Sequence, residues 1–200
     1  MLRGLAAMAS RAEPLAALDA TIAATTVGDT RLTTVPFLAQ VGLRLDPDGP
    51  AAARLAAVLG SELPGPNRAV AAGTNRVLWL GPDEWLVVAA DGEEDALAAS
   101  LTAAVGADGA VIDLSANRTG LELSGAFARD VLATCCTIDF HPRVFGPGQC
   151  VQTLIQKAGV LIDQRTDDTY LLLVRPSFAA YVAEWLLDGL LGLQAELATK

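Results

Sequence analysis

The side chains that could do chemistry are few in this chain. Its 200 residues contain one histidine, His141, set in a run from Cys136 to Thr153 that also holds Asp139, Arg143, two prolines and two glycines. A histidine with a carboxylate two residues away has the parts of a general base and its orienting acceptor. Pro142, however, restricts the backbone of His141, and no Ser, Cys or Glu stands at a spacing that would complete a nucleophilic set. The expected role of His141 is therefore to tie a shaped loop down by hydrogen bonds. The three cysteines fit no metal or redox pattern: Cys135 and Cys136 are adjacent, Cys150 is alone, and there is no C-x-x-C. Cys135 falls on the apolar stripe of a helix and reads as a small buried hydrophobe. The odd, unpatterned set suits a reducing cytoplasm.

The acids and glycines point the same way. Asp83-Glu84 and Asp167-Asp168 are paired carboxylates, but both pairs lie in expected turns, where acids are solvated. Glu93, Glu94 and Asp95 open a helix, where the dipole favours negative charge. No G-x-G-x-x-G follows a strand, no G-x-x-x-x-G-K occurs, and no H-E-x-x-H, G-x-S-x-G or EF-hand loop is present. Neither a nucleotide nor a flavin held by a dinucleotide fold is expected in this chain. Two bases stand out, Arg118 beside Asn117 and Arg143 near Phe145. Each suits carboxylate recognition or interface anchoring as well as simple solvation.

Composition narrows the function classes. Acids outnumber bases 23 to 14, for a net charge of −9, and the arginines form no stripe. Such a surface repels a phosphate backbone, which argues against nucleic acid as a partner. No run approaches the roughly 18 to 20 apolar residues of a membrane span. With 52% apolar and 18% charged residues the chain has a globular composition. Only 5% of residues are aromatic, so Trp79, Trp85 and Trp185 mark places where large volume is needed. The mildly apolar, alanine-heavy start, Met1 to Ser10, reads as a frayed or docked helix ending before Pro14 rather than as a signal peptide.

The elements that position these residues follow from period and turn chemistry. Val41, Leu43 and Leu45 alternate as a strand. Asp46-Pro47-Asp48-Gly49-Pro50 turns into a helix over 51–59, closed by Gly60. Residues 76–80 and 84–90 flank Gly81-Pro82-Asp83 as a hairpin. Asp91 and Glu94 have capping-box spacing ahead of a helix with Leu97, Leu101 and Val105 on one face. Residues 110–114 and 119–123 read as a second hairpin around 115–118. Ser124 is expected to cap a helix burying Phe127, Val131, Leu132 and Cys135. Residues 151–156 form a strand, 159–164 and 169–174 a third hairpin. Pro176 opens a last helix with Phe178, Val182, Trp185 and Leu186 on one stripe. A strand-strand-helix unit thus recurs, which predicts an α+β fold of small antiparallel sheets covered by helices. The expected organisation is an extension over 1–30, one α+β domain over 31–193 with possible halves at about 31–107 and 108–193, and a tail over 194–200.

Four phrases then carry a resemblance. They are Leu80-Gly81-Pro82-Asp83-Glu84-Trp85-Leu86; Asp113-Leu114-Ser115 with Arg118-Thr119; Ile138 to Phe145 followed by Gly148-Gln149-Cys150-Val151-Gln152-Thr153; and Tyr170 to Val174 with Arg175-Pro176-Ser177-Phe178-Ala179 and the Trp185 helix. In that order they resemble the gamma subunit of heterotetrameric sarcosine oxidase, from about Val35 to Leu191. Phe140 and Gly146 depart from the family's usual leucine and proline.

The resemblance implies a fold like the folate-binding domain of glycine-cleavage aminomethyltransferases. It implies a complex that oxidatively demethylates sarcosine to glycine, making hydrogen peroxide and, with tetrahydrofolate, methylenetetrahydrofolate. FAD, FMN and NAD would belong to the larger alpha and beta subunits and zinc to a small delta subunit, with none in this chain. No catalytic, cofactor-binding or metal residue is then expected here. The candidates for structural or interface roles are Trp85 and Arg118 in the first two phrases. In the third they are Asp139, His141, Arg143, Phe145, Gln149 and Thr153. Two other readings compete: a stand-alone folate-binding or aminomethyltransferase-like protein, and an unrelated soluble binding module. The first of these needs a carboxylate placed in a pocket, for which Asp113 is the best candidate. A docking subunit should instead expose apolar surface.

Overall fold

The computed structural model describes residues 11–199. The first helix, α1 (Asp19–Ala24), follows a short 3-10 turn at Ala16–Leu18. The strands are β1 (Thr26–Val27), β2 (Thr30–Val35), β3 (Ala39–Leu45), β4 (Ala69–Ala72), β5 (Asn75–Gly81), β6 (Glu84–Ala89), β7 (Gly109–Asp113), β8 (Thr119–Ser124), β9 (Gln149–Ile155), β10 (Ala158–Gln164) and β11 (Thr169–Val174). The remaining helices are α2 (Pro50–Leu59), α3 (Glu94–Val105), α4 (Ala128–Cys135) and α5 (Ala179–Ala198).

The strands make two antiparallel sheets, one of six in the order β1-β2-β8-β11-β10-β9 and one of five in the order β4-β5-β6-β3-β7. The two sheets face each other, and helices cover the outer face of each. Leu78, Leu80, Leu86 and Val88 of the five-stranded sheet meet Cys150, Leu161, Leu171 and Leu173 of the six-stranded one. Ala51, Leu55 and Leu59 of α2, spaced four apart, and Leu101 and Val105 of α3 cover the first sheet. Val131, Leu132 and Cys135 of α4 join Val182, Leu186 and Leu190 of α5 over the second. Alternation along each central strand thus feeds two cores, one against helices and one between sheets. The expected α+β class holds, in a helix–sheet–sheet–helix stack.

The interleaving of the chain differs from a plain repeat. The β5–β6 and β10–β11 hairpins form as their turn residues predict. The expected hairpin of β7 with β8 does not form: β7 pairs with β3 in one sheet, and β8 lies between β2 and β11 in the other. Residues 115–118 are a crossover between sheets. Leu114 N donates to Gln40 O at 2.7 Å and the Gln40 side chain donates to Arg118 O at 2.8 Å, so one buried glutamine holds both ends of the crossing. A four-residue spacer between apolar runs reads alike whether the strands pair or part. Consequently β2 serves the six-stranded sheet and β7 the five-stranded one, so halves divided near residue 107 exchange strands.

The boundaries move as well. Leu15, Ile22 and Val27 are buried in the core under α4 and α5, so residues well ahead of 31 are built into the fold. α5 continues through Ala198, beyond the expected start of a tail at 194. The helix expected over Met1 to Ser10 lies outside the described residues.

Neither expected helix cap forms. α3 starts after Glu93 with no side-chain cap, and Asp91 instead pairs with Arg11 at 2.6 Å. Ser124 stays in β8. The free amides ahead of α4 are met by Asp29, whose Oδ1 accepts from Ala126 N at 3.1 Å, and Thr30, whose Oγ1 accepts from Phe127 N at 2.9 Å. Gly125 makes this approach possible. Its φ is +112°, and a Cβ there would sit 2.4 Å from Thr30 Cα. On α5, Val182 and Leu186 are buried, whereas Trp185, and Phe178 in the 3-10 turn before the helix, are 37% and 47% exposed. Trp185 stacks edge-on against Tyr181 at 6.4 Å on the helix surface, so it does not share the buried stripe.

Candidate functional site

The loop from Cys136 to Gln149 is held at many points. Asp139 Oδ1 accepts from the backbone N of His141 at 2.8 Å, and His141 Nδ1 accepts from the backbone N of Arg143 at 3.2 Å. His141 O accepts from Val144 N and Phe145 N at 2.7 and 3.0 Å. Gln149 Oε1 accepts from Gly146 N at 2.7 Å. Gly148 then bridges the sheets: its N donates to Gln164 O and its O accepts from Ala69 N, both at 2.9 Å. Beneath this polar lacing, Phe140 and Phe145 are buried edge-to-face at 5.6 Å, and Phe140 meets Tyr170 at 6.2 Å. Arg129 of α4 donates to the carbonyls of both phenylalanines and lies over the Tyr170 ring at 5.8 Å. Burial pushes the Tyr170 hydroxyl up to about 12.

His141 and Arg143 are exposed on the outside of this loop, so Asp139 orients backbone rather than the imidazole. Thr153 sits on β9 with its Oγ1 3.7 Å from Cys136 Sγ, joining the loop's start to the sheet. Cys135 and Cys150 are buried thiols, each pushed up to about 12 by desolvation, with the neighbouring Cys136 and Asp163 respectively adding to it. At neutral pH both are protonated and poor nucleophiles.

Trp85 belongs to β6 of the five-stranded sheet. It is buried under α2 and donates from Nε1 to Pro64 O at 2.9 Å. With Trp79 and Pro82 it lines a cleft of about 600 Å³ beside the Pro64-Gly65-Pro66 segment.

Arg118 lies at the crossover between sheets and borders two clefts. One, of about 440 Å³, is lined by Glu13, Phe37, Glu94, Asp113 and Ser115. There Asp113 ends β7 and accepts from Ser115 N at 2.9 Å and Ser115 Oγ at 2.6 Å. These bonds hold its carboxyl below the usual range, so the residue is an ionised turn anchor. The second cleft, of about 430 Å³, is lined by Arg118, Gln152, Thr153, Leu154, Arg175 and Phe178. Of the candidates named from sequence, Arg118 shares the first cleft with Asp113 and the second with Thr153. Arg175 and Gln152 complete that lining and were not singled out as site residues. Their placement depends on register, in which Val174 pairs with Thr119 and Leu161 with Gln152. The conspicuous buried ion pair is structural: Arg76 of β5 grips Asp163 of β10 at 2.5 and 2.7 Å across the inter-sheet layer. Among the described residues no group of three or more His, Cys, Asp or Glu could hold a metal ion.

Comparison with known proteins follows this geometry. Residues 44–191 match the family model described as sarcosine oxidase, gamma subunit family. The chain is 41% identical over 184 residues to a sarcosine oxidase subunit gamma from Corynebacterium sp. (strain P-1), covering 90% of this chain and 89% of the relative. It is 42% identical over 185 residues to the subunit gamma from an Arthrobacter species, with the same coverage of each. Among solved structures it superposes on a chain of the heterotetrameric sarcosine oxidase from Corynebacterium sp. U-96 with a TM-score of 0.85 and 37% identity, covering 92% of this chain and 96% of that one. A glycine cleavage system aminomethyltransferase T from Bartonella henselae matches at a TM-score of 0.64 and 19% identity, over 87% of this chain and 49% of that one. This last likeness is one of fold.

Proposed function

The chain belongs to the sarcosine oxidase gamma subunit family, and we propose that it is a docking and scaffolding subunit of such an oxidase that performs none of the chemical steps itself. In this reading the assembled complex oxidatively demethylates sarcosine to glycine and makes hydrogen peroxide. With tetrahydrofolate it forms methylenetetrahydrofolate. The flavins FAD and FMN, and NAD, reside in larger alpha and beta subunits, and zinc in a small delta subunit.

One observation carries the reading. His141, the group best suited to proton transfer, spends its Nδ1 on a backbone amide of its own loop, and the carboxylate beside it does the same. Both shape a rigid exposed loop, as a recognition element does. The lower thiol reactivity of Cys135 and Cys150 agrees with this. So does the scatter of exposed apolar side chains, Val144 on the loop and Leu154 and Phe178 at the arginine-lined cleft.

Co-purification tests the proposal. A tagged copy expressed in its source should bring down two larger, flavin-coloured chains and a small one. The tagged chain alone should be colourless and inert toward sarcosine. Recovery of the chain free of partners, or sarcosine turnover by it alone, contradicts the proposal.

A further inference from the structure

We propose that the cleft between Arg118 and Arg175 is a carboxylate-binding site. The register of β8 and β11 creates it. Thr119 and Val174 are cross-strand partners, so the next residues outward, Arg118 and Arg175, face each other. Like charges placed opposite one another on neighbouring strands repel. Arg175 is steadied by donating to Asn117 Oδ1, a neutral acceptor. Arg118 is half-buried, and its Nη1 is shut off from water with no acceptor among the described residues. Burial and then the Arg175 charge both lower its proton affinity, while Glu84 partly opposes them. Glu84 itself lies 3.7 Å from Arg44.

The cleft around the two cations has room for a ligand of modest size, about 430 Å³. No acid lines it, in a chain where acids outnumber bases 23 to 14. Gln152 donates from Nε2 to Leu80 O at 2.8 Å and so ties β9 to β5 at the cleft. Leu154 and Phe178, 52% and 47% exposed, supply apolar walls. Paired guanidiniums with an apolar rim match a carboxylate carried on a carbon skeleton, which accepts from two forks at once. A buried guanidinium nitrogen without an acceptor is costly, and an arriving carboxylate offsets that cost. Two sources share this chemistry: a small free carboxylate, or an acidic side chain or C-terminus of a partner subunit. The second source rests on the docking reading above, and the first does not.

The test uses the full chain and the purified complex, with malonate as probe. Malonate is titrated into the isolated chain by calorimetry against chloride at equal ionic strength. Saturable one-to-one binding is expected, weakened about tenfold or more by Arg175→Gln and by Arg118→Gln, as for loss of a charge-assisted bond. Circular dichroism melts identify any variant that fails to fold. Arg175, being exposed, tolerates its change, and that variant alone decides the matter if Arg118→Gln does not fold. Equal heats with malonate and chloride, or binding that survives Arg175→Gln, overturn the proposal. If binding is seen, repeating it with the assembled complex assigns the source. Retained malonate binding points to a free carboxylate. Lost binding, with weaker assembly of the Arg175→Gln chain, points to a partner's carboxylate.

Discussion

Replacing Arg76 with Met isolates the ion pair that joins the two sheets. Asp163 is fully buried on β10, and Arg76 reaches it from β5 with two hydrogen bonds and a third, at 3.4 Å, to Gln164 O. Gln164 O also accepts from Gly148 N, so the pair anchors the end of the long loop as well. Removing one partner of a buried pair strands the other's charge, at a typical cost of about 3–5 kcal/mol. Arg165 Nε lies 3.8 Å from Asp163 and offers partial compensation, which places the expected loss for Arg76→Met at the lower end, about 3 kcal/mol. For a chain of this size that loss lowers the melting temperature by roughly 6–12 °C. Urea titration followed by tryptophan fluorescence measures it as a shift in midpoint at constant slope. The double variant Arg76→Met/Asp163→Leu removes both charges and should recover much of the loss, because the pair's contribution lies mainly in avoiding an unpaired charge. A loss below about 1 kcal/mol for Arg76→Met, or a double variant whose loss is the simple sum of the single ones, would refute the reasoning.

Three further outcomes follow from the same geometry. Phe145→Ala should cost about 3 kcal/mol by urea titration, because the ring is buried against Phe140 and its loss leaves a cavity; an unchanged midpoint contradicts the packed-loop account. Gly125→Ala should destabilise strongly, since the added methyl meets the backbone of Thr30 and the φ is positive, and a melting temperature equal to wild type would show that the α4 entry can shift. The buried thiols and Tyr170 bind their protons more tightly folded, with values raised from 9.0 and 10.0 to about 12. The unfolded chain releases those protons first, so stability should fall as pH rises from about 9 towards 12, and Cys150→Ala should flatten part of that fall; a urea midpoint that rises over this range reverses the sign.

What the amino-acid sequence made legible was local. Gly81-Pro82-Asp83 and the 165–168 turn announce their hairpins because turn chemistry lies within the turn itself. The one-sided stripes of α2 and α4 announce a layer of helices. The β7–β8 crossover was hidden because the choice between pairing and parting is made by Gln40, some 75 residues away in sequence. A separation of 97 residues likewise hid the bonds that Asp29 and Thr30 make to the amides ahead of α4, for which Ser124 had offered a plausible local substitute. Of the site, the loop around His141 stood out by composition, whereas Asp139, read as an acceptor for the imidazole, accepts instead from the His141 backbone amide. The Arg118–Arg175 opposition was not legible, because it exists only once β8 and β11 are placed in register.

In the proposed function His141 and its loop build shape and contribute nothing to turnover. The direct measurement is sarcosine-dependent oxygen uptake by complexes purified with His141→Ala in place of the native chain, normalised to the amount of assembled complex. Turnover per complex should match wild type even where the yield of complex falls. Complexes that assemble in normal yield but have lost turnover would contradict the account and assign the histidine to catalysis.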